Sequence, residues 1–257
     1  MICKYDQILY LYQGTDAFNQ YKEFVIQLCK PAVEKLGMNP REGENHKDSL
    51  LRSLLMTRLG VCGDAAVVAD MQRRFEDHVN GTESIPADIR SSIYATVAVH
   101  GTEETIDQLM SLYRASTHVE EKMRIATCLG MNCEASVIEK VLSFSLSPEV
   151  KTGDAPFVLR GCTGSLIGRQ LTWKFTQDNW SQLYERYSAG VLMSRLISTT
   201  TKYFTTSAEA ESVSAFFAEH PAPGTERTVA QSLESIEQNR KWLERDGEKI
   251  IGWLTSR

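Results

Sequence analysis

The sequence predicts an all-α protein, and three observations carry that prediction. Apolar residues recur at steps of three and four along nearly the whole chain, which is the spacing of one helix face. Glycine, proline and capping residues fall between these periodic stretches. The stretches are about 12 to 18 residues long and the turns about two to six, which is typical of stacked helical hairpins. We therefore expect a single domain, a superhelix of stacked antiparallel helix pairs (HEAT- or armadillo-like), with a compact helical bundle as the alternative.

The first predicted helix follows Asp16, a candidate cap, and carries an apolar stripe. Its members are Phe18, Tyr21, Val25, Leu28, Ala32 and Leu36. Pro31 should kink or restart this helix, because proline has no amide hydrogen to donate. The later boundaries rest on residues that cap or end helices: Gly60, Asp64, Ser84 with Pro86, Thr102, and the pair Thr117 and Glu120 at the spacing of a capping box.

The segment LTWKFTQDNWSQLYERY, residues 171–187, concentrates aromatic side chains. Trp173, Trp180, Tyr184 and Tyr187 follow at steps of seven, four and three, so they share one helix face, and Asp178 or Asn179 can start a new helix at Trp180. We interpret this segment as the packed hinge of a helical hairpin rather than as a ligand platform. The remaining large aromatic residues are also expected to pack: at least one of Phe216 and Phe217, and Trp242 with Trp253 on the buried side of the terminal helix.

Charge and composition argue against several classes of partner. The formal net charge is -5 and the sequence pI is about 5.6, so the average surface offers little attraction to nucleic acid or to anionic lipid. No apolar run approaches the roughly 20 residues that span a bilayer, and the first residues do not resemble a secretory signal. We expect a cytoplasmic protein that binds neither nucleic acid nor membrane. Six cysteines without a C-x-x-C pair favour buried free thiols.

A search for catalytic or metal-binding motifs finds no candidate. The five histidines lie far apart, and His118-Val119-Glu120-Glu121 lacks the second histidine of an H-E-x-x-H helix. No G-x-S-x-G occurs, and GCTGSLIG lacks the lysine of a phosphate-binding loop. The sequence therefore predicts no catalytic residue and no metal ligand in this chain.

Several ordered segments resemble a known family. They are PADIRSSIY followed by HG, then EEKMRIATCLG, VIEKVLSFSLSPEV, GRQLTWKFTQDNW, LYERY, SRLI, AFFAEHPAPGTERTV and NRKWLERD. In this order they resemble the C-terminal helical domain of gluzincin-type zinc aminopeptidases, most closely the puromycin-sensitive group. The resemblance covers residues 16–257, whereas residues 1–15 match poorly and form an N-terminal extension.

The resemblance implies a noncatalytic domain. In such enzymes the zinc belongs to a separate catalytic domain with G-A-M-E-N and H-E-x-x-H motifs, neither of which occurs here. The helical domain encloses the active-site chamber, controls substrate access and contacts the distal part of peptide substrates. The expected partners are thus the zinc catalytic domain and peptides, and no activity is expected of this chain alone. The alternative is an autonomous helical-repeat scaffold that binds proteins or peptides.

Four residues are candidates for peptide contact. Arg160 and Arg169 flank the glycine-rich loop, and a guanidinium can pair with a peptide carboxylate through two hydrogen bonds. Arg90 and Tyr94 lie one helical turn apart and form the second, weaker pair of candidates. Arg160 and Arg169 also have an ordinary structural interpretation, as side chains that are solvated or bonded to nearby helix carbonyls.

Overall fold

A computed structural model of the protein describes residues 11–15, 17–187 and 191–256. Within those ranges the chain forms helices and no strand. In chain order they are α1 Ala17–Leu36, α2 His46–Cys62, α3 Ala65–Val79, α4 Ala87–His100, α5 Glu103–Ala115, α6 Val119–Leu129, α7 Ala135–Leu146, α8 Ala155–Cys162, α9 Leu166–Asp178, α10 Trp180–Tyr187, α11 Val191–Thr201, α12 Ser207–Glu219 and α13 Glu226–Thr255. The prediction of an all-α single domain is confirmed.

The helices pack in two alternating layers. One series runs α1, α2, α4, α6, α8, α11 and α13, each packed against the next, and α13 packs back against α1. The other helices lie outside this series: α3 packs on α2 and α4, α5 on α4 and α6, α7 and α9 on α8, α10 on α9 and α11, and α12 on α13. From α2 to α8 every second helix is in contact, which is what stacked helix pairs produce. The detailed likeness to HEAT or armadillo repeats stays a prediction.

Contacts between the two ends of the chain close this series. Tyr12 is buried, its hydroxyl donates to the Gly247 carbonyl at 3.3 Å, and its ring meets Trp242 edge-on at 6.0 Å. Phe24 of α1 packs edge-on against Trp253 of α13 at 5.1 Å. Trp253 nevertheless remains 45% exposed, so its predicted burial was wrong. It lies at the rim of the α1–α13 contact rather than beneath it.

Several helix ends differ from the predicted ones. Asp64 caps α3 as expected, since its carboxylate accepts from the Val67 amide at 3.1 Å. Gly60, however, lies inside α2, which ends with Gly63 in a left-handed conformation at φ 92°. Helix α1 runs through Pro31 without restarting. Asp16, proposed as its cap, lies outside the described residues.

Capping side chains also differ at three later helix starts. Pro86, not Ser84, precedes α4, and Thr102 precedes α5 without a side-chain bond. His118 precedes α6 without one, so the predicted Thr117–Glu120 box does not form. A complete capping box instead joins Thr206 and Glu209 at the start of α12.

The aromatic segment forms the packed hinge that its spacing predicts. α9 ends at Asp178, α10 begins at Trp180, and both Trp173 and Trp180 are 7% exposed. Each tryptophan contacts Phe216 and Phe217 of α12 at 5.3–6.2 Å between ring centroids. The prediction that at least one of these phenylalanines packs is confirmed for both.

No disulfide joins the described cysteines, and four of these five are buried as predicted. Cys29, Cys62, Cys128 and Cys162 are buried, and Cys133 is exposed. Burial raises the pKa of the Cys128 and Cys162 thiols to about 12, so both stay protonated. Among the described helices none has both the length and the apolar character required to span a membrane.

Candidate functional site

A cleft of about 790 Å³ opens where α8, α11 and α13 meet. Its walls combine cations, hydroxyl and amide side chains, and a few apolar rings. The lining residues are Pro156, Phe157, Arg160 and Thr163 from α8 and its end; Arg195, Ser198, Thr199, Thr201, Lys202 and Tyr203 from α11 and its end; and Thr228, Gln231, Ser232, Glu234, Ser235 and Gln238 from α13. Three helices that are distant in sequence therefore build one concave polar surface.

The charge of this cleft is positive. Arg160, Arg195 and Lys202 are exposed cations on its walls, whereas Glu234 is its one acidic lining residue. Within the described ranges, no carboxylate forms an ion pair with Arg160 or Arg195. The Arg195 guanidinium lies over the Phe157 ring, 5.6 Å from its centroid, which orients the cation across the cleft. The arrangement suits an anionic group next to an apolar side chain.

Buried polar groups hold the cleft walls behind these cations. Arg169 of α9 donates from Nη1 to the Tyr203 carbonyl at 3.1 Å and from Nε to the Thr163 carbonyl at 3.4 Å. The Thr163 hydroxyl donates to the Arg160 carbonyl at 2.9 Å. Asn239 of α13 donates to the carbonyls of Lys202 and Phe204 at 3.1 and 3.0 Å. The backbone that carries Arg160 and Lys202 is thus fixed by bonds from neighbouring helices.

The structure separates the four predicted contact residues. Arg160 lines the cleft, whereas Arg169 lies behind its wall and is 3% exposed. Arg90 and Tyr94 lie on α4, away from the cleft, and Tyr94 has no exposed surface. The peptide contacts proposed for these residues stay predictions, but the arrangement brings only Arg160 to the concave surface.

Arg90 and Tyr94 instead converge on one carboxylate of α6. The Glu121 carboxylate accepts from the Tyr94 hydroxyl at 2.7 Å, from Arg124 Nη1 at 2.5 Å and from Arg90 Nη1 at 3.3 Å. Burial raises the pKa of Tyr94, and its bond to Glu121 raises it further. Burial alone would raise the pKa of Glu121, but the donors around it hold that pKa below its ordinary value. This is a charged, hydrogen-bonded tie between α4 and α6.

Apart from Arg160, sequence reasoning missed the lining residues, among them Arg195, Lys202 and Tyr203. One local pattern was available: Arg195 and Lys202 are seven residues apart in VLMSRLISTTTKYF, two turns of a helix and therefore on the same side. Nothing in that stretch indicated that α8 and α13 would complete the site.

The described part of the chain holds no group of three or more histidine, cysteine or acidic side chains arranged to bind a metal ion. The cleft itself contains none of the five histidines and no cysteine. Its lining side chains offer positive charge and hydrogen-bonding groups.

Comparison with known proteins gives one consistent family. Residues 2–238 match the model of the ERAP1-like C-terminal domain. The chain is 33% identical over 228 residues to Aminopeptidase M1-B of Oryza sativa subsp. japonica and to Aminopeptidase M1 of Arabidopsis thaliana, covering 87% of this chain and 26% of each relative. It is 30% identical over 240 residues to Endoplasmic reticulum aminopeptidase 1 of Mus musculus, covering 91% and 25%. The chain thus spans about a quarter of the length of these relatives.

Proposed function

The chain belongs to the ERAP1-like C-terminal domain family, and from that premise we propose that it is the noncatalytic, substrate-enclosing domain of a zinc aminopeptidase. Its partner is the catalytic domain, which holds the zinc, and its ligands are peptide substrates. It limits access to the chamber and contacts the distal part of a bound peptide. The observation that carries this proposal is the cationic cleft between α8, α11 and α13.

The chemistry of the cleft matches the carboxyl end of a peptide. A free carboxylate can pair with the guanidinium of Arg160 or Arg195, which has the planar donors for two parallel bonds, and Lys202 adds positive charge. Hydroxyl and amide side chains along α11 and α13 can bond the peptide backbone, which an extended segment leaves unpaired. Phe157 and Tyr203 offer apolar surface to a terminal side chain.

The proposal places this protein in the cytoplasm and assigns it no nucleic-acid or membrane partner. The net charge of -5 supports the second part, because an acidic surface offers little attraction to nucleic acid or anionic lipid. The positive cleft is a local exception on an acidic molecule, so an anionic peptide end is attracted to this one region. A cleft lined by positive charges raises the local concentration of an anionic ligand.

Peptide binding tests the proposal directly. A fluorescein-labelled nonapeptide with a free carboxyl end should bind the purified chain more tightly than the same peptide with an amidated end. Arg160→Ala and Arg195→Ala should each weaken binding of the free-acid peptide about tenfold, as expected for a hydrogen bond between charged groups. Fluorescence anisotropy measures both affinities.

Arg73→Ala provides the matched control, because Arg73 is an exposed arginine of α3 outside the cleft. It should leave the affinity unchanged. Equal affinity for acid and amide peptides would contradict the carboxylate anchor. Zinc-dependent hydrolysis of aminoacyl fluorogenic substrates by this chain alone would contradict the noncatalytic assignment.

A further inference from the structure

Arg169 occupies a buried position behind the cleft wall. Its side chain is 3% exposed, it belongs to α9, and it does not line the cleft. Its guanidinium bonds the Tyr203 carbonyl on one wall and the Thr163 carbonyl on the other. It also lies over the Tyr203 ring, 5.5 Å from the centroid. One buried cation therefore spans both walls.

Both bonded carbonyls stand next to a cation that faces the cleft. Thr163 is tied through its hydroxyl to the carbonyl of Arg160, and Tyr203 directly follows Lys202. Movement of Arg169 would shift the ends of α8 and α11 relative to each other. The spacing between Arg160 and Lys202 would then change. Arg169 acts on both cations through the backbone, since none of these bonds involves the Arg160 or Lys202 side chain.

A third partner links this arrangement to the beginning of the described chain. Gln13 accepts from Arg169 Nη2 at 3.1 Å through Oε1, and its Nε2 donates to the Gly164 carbonyl at 2.7 Å. Tyr12 beside it is fixed by its bond to Gly247 of α13. Residues 11–15 are therefore joined to the same turn that Arg169 holds.

We propose that Arg169 is a positioning residue that sets the distance between the two cationic walls, and that Gln13 couples residues 11–15 to this spacing. The inference rests on the proposed function for the identity of the ligand, a peptide carboxyl end. Displacement of residues 11–15 would release Gln13 and loosen the cleft. In a longer parent protein, the chain that precedes these residues would thereby influence peptide affinity.

The test compares Arg169→Met with Arg160→Ala. Loss of positioning should weaken binding of the free-acid nonapeptide about tenfold and binding of the amidated nonapeptide less, because the spacing of the cations that meet the carboxylate changes. Arg160→Ala should also reduce the preference for the acid, but it removes a direct contact and should leave amide exchange at Gly164 and Phe204 unchanged. Gln13→Ala should weaken binding of the free-acid nonapeptide about threefold. An unchanged affinity of Arg169→Met for the free-acid nonapeptide would overturn the proposal.

Amide hydrogen exchange gives a readout that needs no peptide. The Gly164 amide donates to Gly161 and the Phe204 amide to Thr201, both at 3.2 Å, in the turns that Arg169 holds. Arg169→Met should speed hydrogen exchange of both amides about tenfold. Gln13→Ala should speed exchange mainly at the Gly164 amide. Unchanged exchange at both amides would overturn the proposal. If the unmodified chain binds no peptide, the proposed function fails while this measurement still decides the role of Arg169.

Arg52→Met is the matched control for the loss of a buried arginine. Arg52 is 1% exposed and bonds the Gly37 and Leu36 carbonyls from α2, outside the cleft. Arg52→Met should reduce the stability of the protein without changing its affinity for the free-acid or the amidated nonapeptide. Should Arg169→Met not fold, Arg169→Lys and Gln13→Ala carry the same test, because lysine keeps the charge but lacks the planar fork that reaches both walls.

Discussion

Arg52 and Arg169 are almost fully buried, and the guanidinium group of each donates hydrogen bonds to backbone carbonyls of another segment. A buried guanidinium is favourable only when its donors are bonded, because desolvation of the charge is costly. Arg52 meets that condition with the carbonyls of Leu36 and Gly37 and with both oxygens of Glu44, at 2.6 and 2.5 Å. It thereby fixes the linker between α1 and α2.

The Arg52–Glu44 pair predicts a specific dependence of stability on pH. Hydrogen bonds from Arg52 lower the pKa of Glu44 to about 2, from an ordinary value of 4.5. Since the folded-state pKa is the lower one, the stabilisation is complete above the ordinary value and is lost as pH falls through about 2. The urea midpoint of Glu44→Gln should lie below that of the unmodified chain at about pH 6 and approach it at about pH 3.

Other carboxylates titrate in both proteins, so their contributions cancel in the difference between the two midpoints. Glu42→Gln is the control, because Glu42 is exposed in the same linker. A midpoint difference for Glu44→Gln that stays constant across this pH range would contradict the charged pair.

At the level of single helices, the crossing of α2 and α4 depends on one glycine. A Cβ added to Gly60 would lie 2.0 Å from Thr96 Oγ1 and 3.0 Å from Thr96 Cβ. The two helices therefore approach more closely than any side chain at position 60 allows. Thr96 is fixed in place, since its hydroxyl donates to the Ser92 carbonyl at 2.8 Å.

Gly60→Ala should destabilise the protein by about 1–3 kcal/mol, because the new methyl group overpacks this crossing. Gly252→Ala is the control: Gly252 also lies within a helix, α13, but a Cβ there meets nothing within 4 Å. It should stabilise by about 0.5–1 kcal/mol through helix propensity. Urea denaturation measures both changes, and a similar effect at the two sites would argue against the close approach.

The same glycine explains where sequence reasoning about the helices succeeds and where it stops. Periodicity predicts the helices well, because each must bury one apolar stripe. A glycine in that pattern serves equally as a helix end or as a close crossing, and the partner that decides, Thr96, lies on another helix. Likewise, Thr117 and Glu120 share the spacing of Thr206 and Glu209, but only the second pair forms the capping box. Whether a capping box forms depends on the backbone conformation of the residues that precede the helix.

For the whole molecule, the packing of helices distant in sequence limits how many residues of the cleft can be predicted from the sequence. Arg160 was recognisable because it flanks a glycine-rich loop, whereas Arg195 became a site residue only through the packing of α8, α11 and α13. No local pattern encodes that packing, so the cleft could be predicted only in part.

Closure of the series predicts that its two ends are coupled in stability. Tyr12→Ala removes a side chain that is 1% exposed and contacts Gly247 and Trp242, at a cost of about 3–5 kcal/mol. Because α13 packs on α1, amide exchange should quicken in both helices, although they lie at opposite ends of the chain, while α5 and α6 stay unchanged. Tyr12→Phe, which loses only the hydroxyl bond, should cost about 1 kcal/mol and affect exchange mainly near Gly247. Faster exchange confined to α1 in Tyr12→Ala would mean that α13 holds its place independently, as the last helix of an open stack would.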